Sequence, residues 1–315
     1  MTNLVKLSVT LSLIFSINNV YADREAFEST YVPLAPEKIV IQNASIYDGD
    51  GGEFFETDVL VEDGKIIAIG KDLPFSNEFK VIDATGKWVT PGIIDIHSHM
   101  GVYPAPGVRT SSDGNEATSP VTADVWAEHS IWVQDPQYAL ALTGGVTAFH
   151  ILPGSANLIG GRGVTVKNLQ RVTINSMKFP DAPHSLKMAC GENPKRVYGN
   201  RGQAPSTRMG NAAGYRKSWI QAEGYLRRLN EYEEKSDEAK ELEYAPTRDL
   251  EMETLAGVLK GEILVHNHCY RADEMATMID IAKEFNYKIT AFHHGVEAYK
   301  IADLLADNGI CGALW

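Results

Sequence analysis

Three apolar segments of this chain each end in two histidines, and this feature most restricts how the chain can fold. The sequence has nine histidines, and six lie in these three places: His97, His99, His266, His268, His293 and His294. A buried imidazole needs a hydrogen-bond or metal partner, so apolar packing alone does not explain the pattern. We predict that the three segments are strands of one sheet and that their histidines form a common site.

The His-x-His spacing matters because side chains alternate between the two faces of a strand. His97 and His99 then lie on the same face, with Cα atoms about 7 Å apart. Two imidazoles on one face can bind one divalent ion. A single His-x-His is weak evidence, since surface pairs are common. The convergence of three such strand ends, however, predicts a shared metal centre.

A fourth apolar segment contributes a candidate bridging ligand. Glu192 follows the segment Ser185–Gly191, where a carboxylate can bridge two metal ions. An acid at a helix start or in a loop is the alternative role for this residue. Lys187 is an alternative bridging ligand if its amine is carboxylated. Because Lys187 lies five residues earlier and deeper in the predicted barrel, we favour Glu192.

The chain changes character near residue 90. Residues 37–90 contain short β-type runs, including a hairpin in which Asp63-Gly64 separates Asp58–Glu62 from Lys65–Ile69. From Pro91 onward, long apolar segments alternate with amphipathic helices, which is typical of a parallel sheet buried on both faces. We therefore predict an α/β protein with a small all-β module before a barrel-like region.

Six strands of the barrel-like region are predicted from its apolar runs. They are Gly92–His97, Val146–Leu152, Ser185–Gly191, Glu262–His268, Tyr287–His293 and Gly309–Trp315. The polar, Gly-rich stretches 101–128, 153–184 and 193–216 do not fit simple alternation. We expect them to be long loops that form the mouth of the barrel.

Residues 1–22 resemble a signal peptide. Lys6 precedes the apolar run Leu7–Ile17, and Val20-Tyr21-Ala22 supplies small residues for cleavage. The run is short for a membrane span, so we expect a secreted or periplasmic protein with no membrane span after signal cleavage. The formal net charge of −12 argues against nucleic acid as the main partner.

The three cysteines, Cys190, Cys269 and Cys311, form an odd and sparse set. Such a set does not indicate a disulfide framework, even in an exported protein. The sequence also has no Cys-x-x-Cys pair for a structural zinc knuckle. We expect all three to be small buried hydrophobic residues near strand ends.

The composite of these motifs resembles the amidohydrolase superfamily over about residues 37–315. The run from Val89 to His99 is similar to the first barrel strand of that superfamily. Ile41-Gln42-Asn43-Ala44, followed by Gly64-Lys65-Ile66, resembles the β-sandwich that precedes the barrel. The later histidine strands resemble the imidazolonepropionase-like branch.

The resemblance implies an incomplete TIM-like (β/α)8 metal-dependent hydrolase barrel over residues 91–315, preceded at 37–90 by part of a small β-sandwich. It implies one or two divalent ions, with zinc the favoured identity. His294 is also expected to polarise the substrate carbonyl, and His266 and His293 to support the site or pack beside it. The residues that match the metal ligands are His97, His99, Glu192, His268 and His294.

The sequence departs from the family pattern at its end. The family expects an aspartate on the last strand, which binds metal and accepts a proton from the attacking water. This sequence stops at Trp315, inside a segment that resembles strand seven of the family's barrel. We interpret the chain as C-terminally truncated and expect this fragment alone to be inactive.

The implied activity is hydrolysis of an amide-like, non-polypeptide C–N bond in a small molecule by a metal-activated water. One alternative is a metallodipeptidase or N-acyl amino acid deacylase, in which Arg162 and Arg196 bind a substrate carboxylate. Surface positions are the competing role for both arginines. A non-catalytic binding protein on a relic barrel is the alternative from another class. Homo-oligomer formation is left open.

Overall fold

The computed structural model describes residues 27–35 and 37–314, which fold into two β-sheets and seven α-helices. The predicted signal peptide, residues 1–22, lies outside the described residues.

The first sheet is mixed and lies between residues 39 and 89, with strand order β3-β2-β1-β4 and β5 paired to β1. The predicted hairpin is confirmed, because Glu62 pairs with Lys65 across a turn in which Asp63 and Gly64 have φ values of 52° and 72°. A β-sandwich at 37–90 stays a prediction. The strands are β1 (Ile39–Tyr47), β2 (Glu53–Glu62), β3 (Lys65–Gly70), β4 (Lys80–Asp83) and β5 (Trp88–Val89).

The second sheet has seven strands, each hydrogen-bonded to its neighbours in chain order. All six strands predicted for this region are present within a few residues of their predicted bounds, and a seventh lies between the second and third of them. The strands are β6 (Ile93–Ser98), β7 (Val146–Ile151), β8 (Ile159–Lys167), β9 (Ser185–Ala189), β10 (Leu264–His268), β11 (Ile289–His293) and β12 (Cys311–Ala313).

This sheet curls into a nearly closed barrel. β6 is one edge strand and β11 lies five positions away in the strand order. Nevertheless, His97 of β6 and His293 of β11 approach to 2.9 Å between their Nδ1 atoms. Such a contact across the sheet requires strong curvature, as in a barrel.

The seventh strand, β8, corrects the prediction of a wholly parallel sheet and of a loop over 153–184. β8 lies antiparallel to both β7 and β9, whereas the other neighbouring pairs are parallel. Only seven residues, 152–158, connect β7 to β8. A parallel return needs a crossover of a dozen or more residues, so a connection this short permits only an antiparallel partner.

Helices pack against part of the outside of the barrel. The main core lies between these helices and β9–β11, and Trp219 is fully buried there. Within the described residues, no helix combines the length and apolar character needed to cross a membrane. The helices are α1 (Gln137–Thr143), α2 (Glu192–Gly199), α3 (Arg208–Glu233), α4 (Asp237–Leu242), α5 (Leu250–Lys260), α6 (Ala272–Glu284) and α7 (Ala302–Asp307).

The expectation for the cysteines is wrong in two respects. Cys190 and Cys269 are buried as predicted, but they form a disulfide with a Cα–Cα distance of 5.2 Å. The third, Cys311, is exposed. The parallel pairing of β9 with β10 places the two strand ends side by side, within the usual disulfide range. Their separation of 79 residues leaves no sequence signal for this pairing.

We predict that Trp219→Ala lowers the free energy of unfolding by about 3–5 kcal/mol, because it removes a large buried ring and leaves a cavity. The Trp219 ring lies 4.4 Å from that of Tyr287. Urea unfolding followed by circular dichroism measures the effect. Ile220→Ala is the matched control, since Ile220 is the next residue of α3 and is 58% exposed. Equal effects of the two substitutions would contradict this account of the core.

Candidate metal centre

The register of β9, β10 and β11 brings four polar side chains to the same part of the barrel interior. Lys187 pairs with His266, and His268 pairs with His293. Because strand side chains alternate, His266 and His268 share one face of β10, and their cross-strand partners lie on the same face. All four residues are buried.

Four imidazoles form a continuous series of close contacts. His97 Nε2 lies 3.2 Å from His99 Nε2, and His97 Nδ1 lies 2.9 Å from His293 Nδ1. His293 Nε2 in turn lies 2.8 Å from His266 Nδ1. The series ends at the backbone, where His99 Nδ1 lies 2.8 Å from the carbonyl oxygen of Leu152.

That carbonyl fixes the tautomers along the series. The Leu152 oxygen can only accept, so His99 Nδ1 carries a proton and its Nε2 is an acceptor. The same reasoning then makes His97 Nε2, His293 Nδ1 and His266 Nδ1 the donors of the successive contacts. The four rings are therefore satisfied in the neutral form, which is the form that binds metal.

His268 and His294 complete the cluster from the other side. The His294 ring lies 4.6 Å from that of His268 and 4.8 Å from that of His97. Both ring nitrogens of His268 are buried without a hydrogen-bond partner among the described residues. Unsatisfied buried nitrogens are costly, and a bound cation is one way to satisfy them.

Lys187 lies at the centre of the cluster and is fully buried. Its Nζ donates a hydrogen bond of 2.9 Å to the carbonyl oxygen of Pro153. Burial lowers the pKa of Lys187 from its usual 10.5 to about 7. An amine of this kind is largely neutral slightly above neutral pH, whereas an exposed lysine is charged.

Burial also lowers the pKa of every histidine in the cluster, and the nearby Lys187 charge lowers each further. The pKa falls to about 4 for His99, about 3 for His268 and His293, and about 2 for His266. The charges that shift these values come from Lys187 and neighbouring histidines, and no carboxylate is among them. The histidines of the cluster are therefore a neutral set of nitrogen donors near pH 7.

The structure does not bring Glu192 into this cluster. Glu192 is the first residue of α2 and its side chain is exposed. The chain leaves the direction of β9 before this point, because Gly191 has a φ of 69°. The residue expected to lie too deep, Lys187, is the one that the histidines surround.

The cluster also differs from the sequence prediction in its histidines. His97, His99, His268 and His294 are all present, but His266 and His293 are equally central. His150 was missed altogether: its ring lies 4.4 Å from that of His266, and its Nε2 lies 2.7 Å from Ser185 Oγ. The sequence signal that could have identified His150 was its position as a polar residue inside the apolar run Val146–Leu152.

The two arginines proposed to bind a substrate carboxylate have other positions. Arg162 donates a 2.8 Å hydrogen bond to Thr254 Oγ1, and its guanidinium lies 4.1 Å from the ring centre of Trp126. Burial lowers the pKa of Arg162 to about 10. Arg196 lies exposed on α2. These positions give the metallodipeptidase or deacylase alternative no specific support.

The donor set fits a divalent ion. Two nitrogens bound at about 2.05 Å to one tetrahedral zinc ion are roughly 3.4 Å apart. His97 Nε2 and His99 Nε2, at 3.2 Å, are close to this spacing, and a bound ion would take the place of the proton between them, with His97 then protonated at Nδ1 toward His293. The hydrogen bond from His99 Nδ1 to Leu152 is the kind of contact that orients a metal-binding histidine.

Comparison with known proteins agrees with this architecture. No family model matches the chain. An amidohydrolase crystal structure from Thermotoga maritima MSB8 has a TM-score of 0.80 and 39% sequence identity, covering 88% of this chain and 70% of that one. Amidohydrolase tasK of Hapsidospora irregularis is 36% identical over 275 residues, 82% of this chain. A dihydroorotase of Lactobacillus helveticus is 47% identical over 74 residues, 24% of this chain and 16% of that protein.

The barrel-like α/β fold and these relatives together define the class: the chain belongs to the amidohydrolase superfamily. The chain spans 28% of the length of tasK, so tasK is a much longer protein. Assignment to the imidazolonepropionase-like branch stays a prediction.

We predict that the stability of chelator-treated, metal-free protein falls as the pH is lowered from 6.5. The unfolded chain takes up protons on its histidines below about 6.5, while the folded cluster, with its lowered pKa values, does not. Each buried histidine then removes about 1.4 kcal/mol of stability per pH unit. Urea titrations between pH 7.5 and 5 measure this slope.

His150→Gln is the matched variant for this experiment. The pKa of His150 is lowered to about 4 by burial, so its removal should reduce the slope by the contribution of one group. Constant stability across this pH range would show that the histidines are not buried in the neutral form.

Proposed function

We propose that this protein is a metal-dependent hydrolase that cleaves an amide-like, non-polypeptide C–N bond in a small molecule. The observation that carries the proposal is the group of neutral histidines, buried or half-buried, around Lys187 in the barrel interior. The names of the relatives, amidohydrolase and dihydroorotase, agree with C–N hydrolysis. No specific observation favours the relic-barrel alternative.

The proposed ligands of one or two divalent ions include His97 and His99 as a pair on one strand. His268 and His294 are the proposed donors from β10 and from the residue that follows β11, whereas both ring nitrogens of His293 already contact His97 and His266. Nitrogen and oxygen donors of this kind suit zinc, which is the proposed metal. A bound divalent ion would polarise a substrate carbonyl and lower the pKa of a bound water to about 7.

We propose carboxylated Lys187, in place of Glu192, as the bridging ligand. Carboxylation requires the neutral amine, and burial lowers the Lys187 pKa to about 7. The product is a carboxylate in the middle of a neutral histidine set. Its negative charge would offset the charge of bound cations, which is otherwise costly to bury. Exposed Glu192 is not available for this role.

The chain's own residues have distinct proposed roles. The Leu152 carbonyl holds His99 with Nε2 toward the site, and the Pro153 carbonyl holds Lys187 Nζ. His294 is half-buried and directly follows β11; one of its ring nitrogens is the proposed metal donor, and the other is proposed to donate a hydrogen bond to the substrate carbonyl oxygen. Its positive φ of 57° turns the chain there, so that adjacent His293 and His294 both reach the cluster.

The size of the neighbouring cavity supports a small substrate. A cavity of about 420 Å³ is lined by Pro153, Asn115 and Trp126 among others. Pro153 is also the residue that accepts the Lys187 hydrogen bond, although none of the cluster histidines lines this cavity. This volume is typical of small-molecule sites. Export of the protein and homo-oligomer formation stay predictions.

We predict that Lys187→Met abolishes high-affinity binding of divalent metal, whereas Glu192→Gln leaves it unchanged. Elemental analysis of protein loaded with zinc in the presence of bicarbonate measures both. Metal content of the unsubstituted protein should also fall when bicarbonate and carbon dioxide are removed during loading. Loss of metal from Glu192→Gln alone would restore Glu192 as the ligand and overturn the role of Lys187.

Hydrolysis of small cyclic and N-acyl amides is the direct test of the activity. Dihydroorotate, hydantoin and N-acetyl amino acids form a first panel, with product amine or carboxylate as the readout. For any substrate that is turned over, His97→Asn should lower kcat/KM by about 100-fold or more, because a first-strand ligand is lost. Hydrolysis that persists after chelation and in His97→Asn would contradict metal dependence.

A further inference from the structure

A second group of metal-binding side chains lies outside the barrel interior, on the face of β9 and β10 that is turned toward the helices. Cys190 follows β9, Cys269 follows β10, and Glu274 lies in the first turn of α6. All three are buried, and the two cysteines belong to the core between the barrel and α3 and α6. Nothing in the proposed hydrolysis uses them.

The three ligand atoms lie close together, and reduction of the disulfide would let the two sulfurs separate to either side of a metal ion. Both Sγ atoms and one carboxylate oxygen lie within 4.8 Å of one another. Cys190 Sγ lies 3.7 Å from Glu274 Oε2. A sulfur and an oxygen bound to the same tetrahedral zinc ion are roughly 3.6 Å apart, given bond lengths of about 2.3 and 2.1 Å. The carboxylate is therefore placed for a cation at the sulfurs.

Charge balance favours the exchange of the disulfide for a cation. The disulfide is neutral, and two thiolates with one divalent ion are also neutral. Glu274 keeps its ion pair with Arg208 through Oε1, which leaves Oε2 turned toward Cys190. The net charge of the buried site is thus the same in both forms, which avoids the cost of burying an unpaired charge.

The site also has room for a fourth ligand and a route for entry. A cavity of about 270 Å³ is lined by Cys190, Glu274, Arg208 and Tyr215 among others. Gly191 makes close approach of the carboxylate possible, since a Cβ at this position would collide with Glu274. A water molecule from the cavity can therefore complete a four-coordinate site with three protein ligands.

We propose that Cys190, Cys269 and Glu274 form a redox-controlled zinc site, which is closed by the disulfide and opened by a dithiol reductant. Thiol–disulfide exchange breaks the Cys190–Cys269 bond, and the reductant supplies two electrons and two protons as it becomes a disulfide. The two thiols release two protons when zinc binds. The soft thiolates distinguish this site from the histidine centre.

Cobalt titration of the reduced protein tests the proposal. The full-length protein is reduced with dithiothreitol, desalted without oxygen and titrated with Co²⁺. Only thiolate ligands give a near-ultraviolet sulfur-to-cobalt charge-transfer band, so the histidine centre does not interfere. We expect the band in reduced protein and its absence in oxidised protein.

Four variants identify the side chains that produce the charge-transfer band. Cys190→Ser and Cys269→Ser should each abolish it, whereas Cys311→Ser, which changes the exposed cysteine, should retain it. Glu274→Gln can still form the disulfide, and it should weaken cobalt binding by about tenfold or more. Circular dichroism of each reduced variant reports on folding.

Three results would overturn the proposal: no band in reduced protein, a band that survives in Cys190→Ser, or equal affinity in Glu274→Gln. Reduced protein that loses its helical signal and does not regain it with metal would overturn it as well. Zinc competition against cobalt, with elemental analysis, then confirms that zinc occupies the site in preference.

Discussion

The burial of Lys187 is the constraint on which the rest of the site depends. A lysine in the barrel interior cannot keep its charge cheaply, and the structure gives it one hydrogen bond, to the Pro153 carbonyl. The histidines around it are neutral for the same reason. A group of neutral donors is stable without charge partners and is also the form that binds a cation. Folding and metal binding therefore both require these side chains to be uncharged.

The strand positions of this barrel were predictable because they depend on local pattern. Apolar runs such as Val146–Leu152 and Tyr287–His293 are long, and they alternate with amphipathic helices. β8 was not predictable in this way, because its glycines and Arg162 do not resemble a buried strand. The antiparallel direction of β8 follows from the short connection between β7 and β8. That connection can be recognised as short only after β8 has been identified as a strand.

The site was predictable as a cluster and less so residue by residue. The carboxyl ends of neighbouring parallel strands meet at one edge, so the convergence of histidine-bearing strand ends was predictable, whereas the choice of His97 and His268 as ligands came from the family resemblance. Glu192 lies exposed and outside the cluster, and its position was misjudged because depth along β9 was inferred from sequence distance. The turn at Gly191 directs Glu192 to solvent, and pairing with His266 brings Lys187 to the centre. The Cys190–Cys269 disulfide was not predictable for a similar reason, because it depends on the pairing of β9 with β10.

The seven-residue connection between β7 and β8 has a consequence for how this protein can vary. The consecutive carbonyls of Leu152 and Pro153 hold His99 and Lys187, while Pro153 also lines the neighbouring cavity. Carbonyl oxygens are common to all amino acids, so these hydrogen bonds do not depend on side-chain identity. They depend on the path of the chain. Substitutions that keep the backbone path of this connection therefore leave both hydrogen bonds in place, whereas a single insertion or deletion would displace two central residues and the cavity wall together.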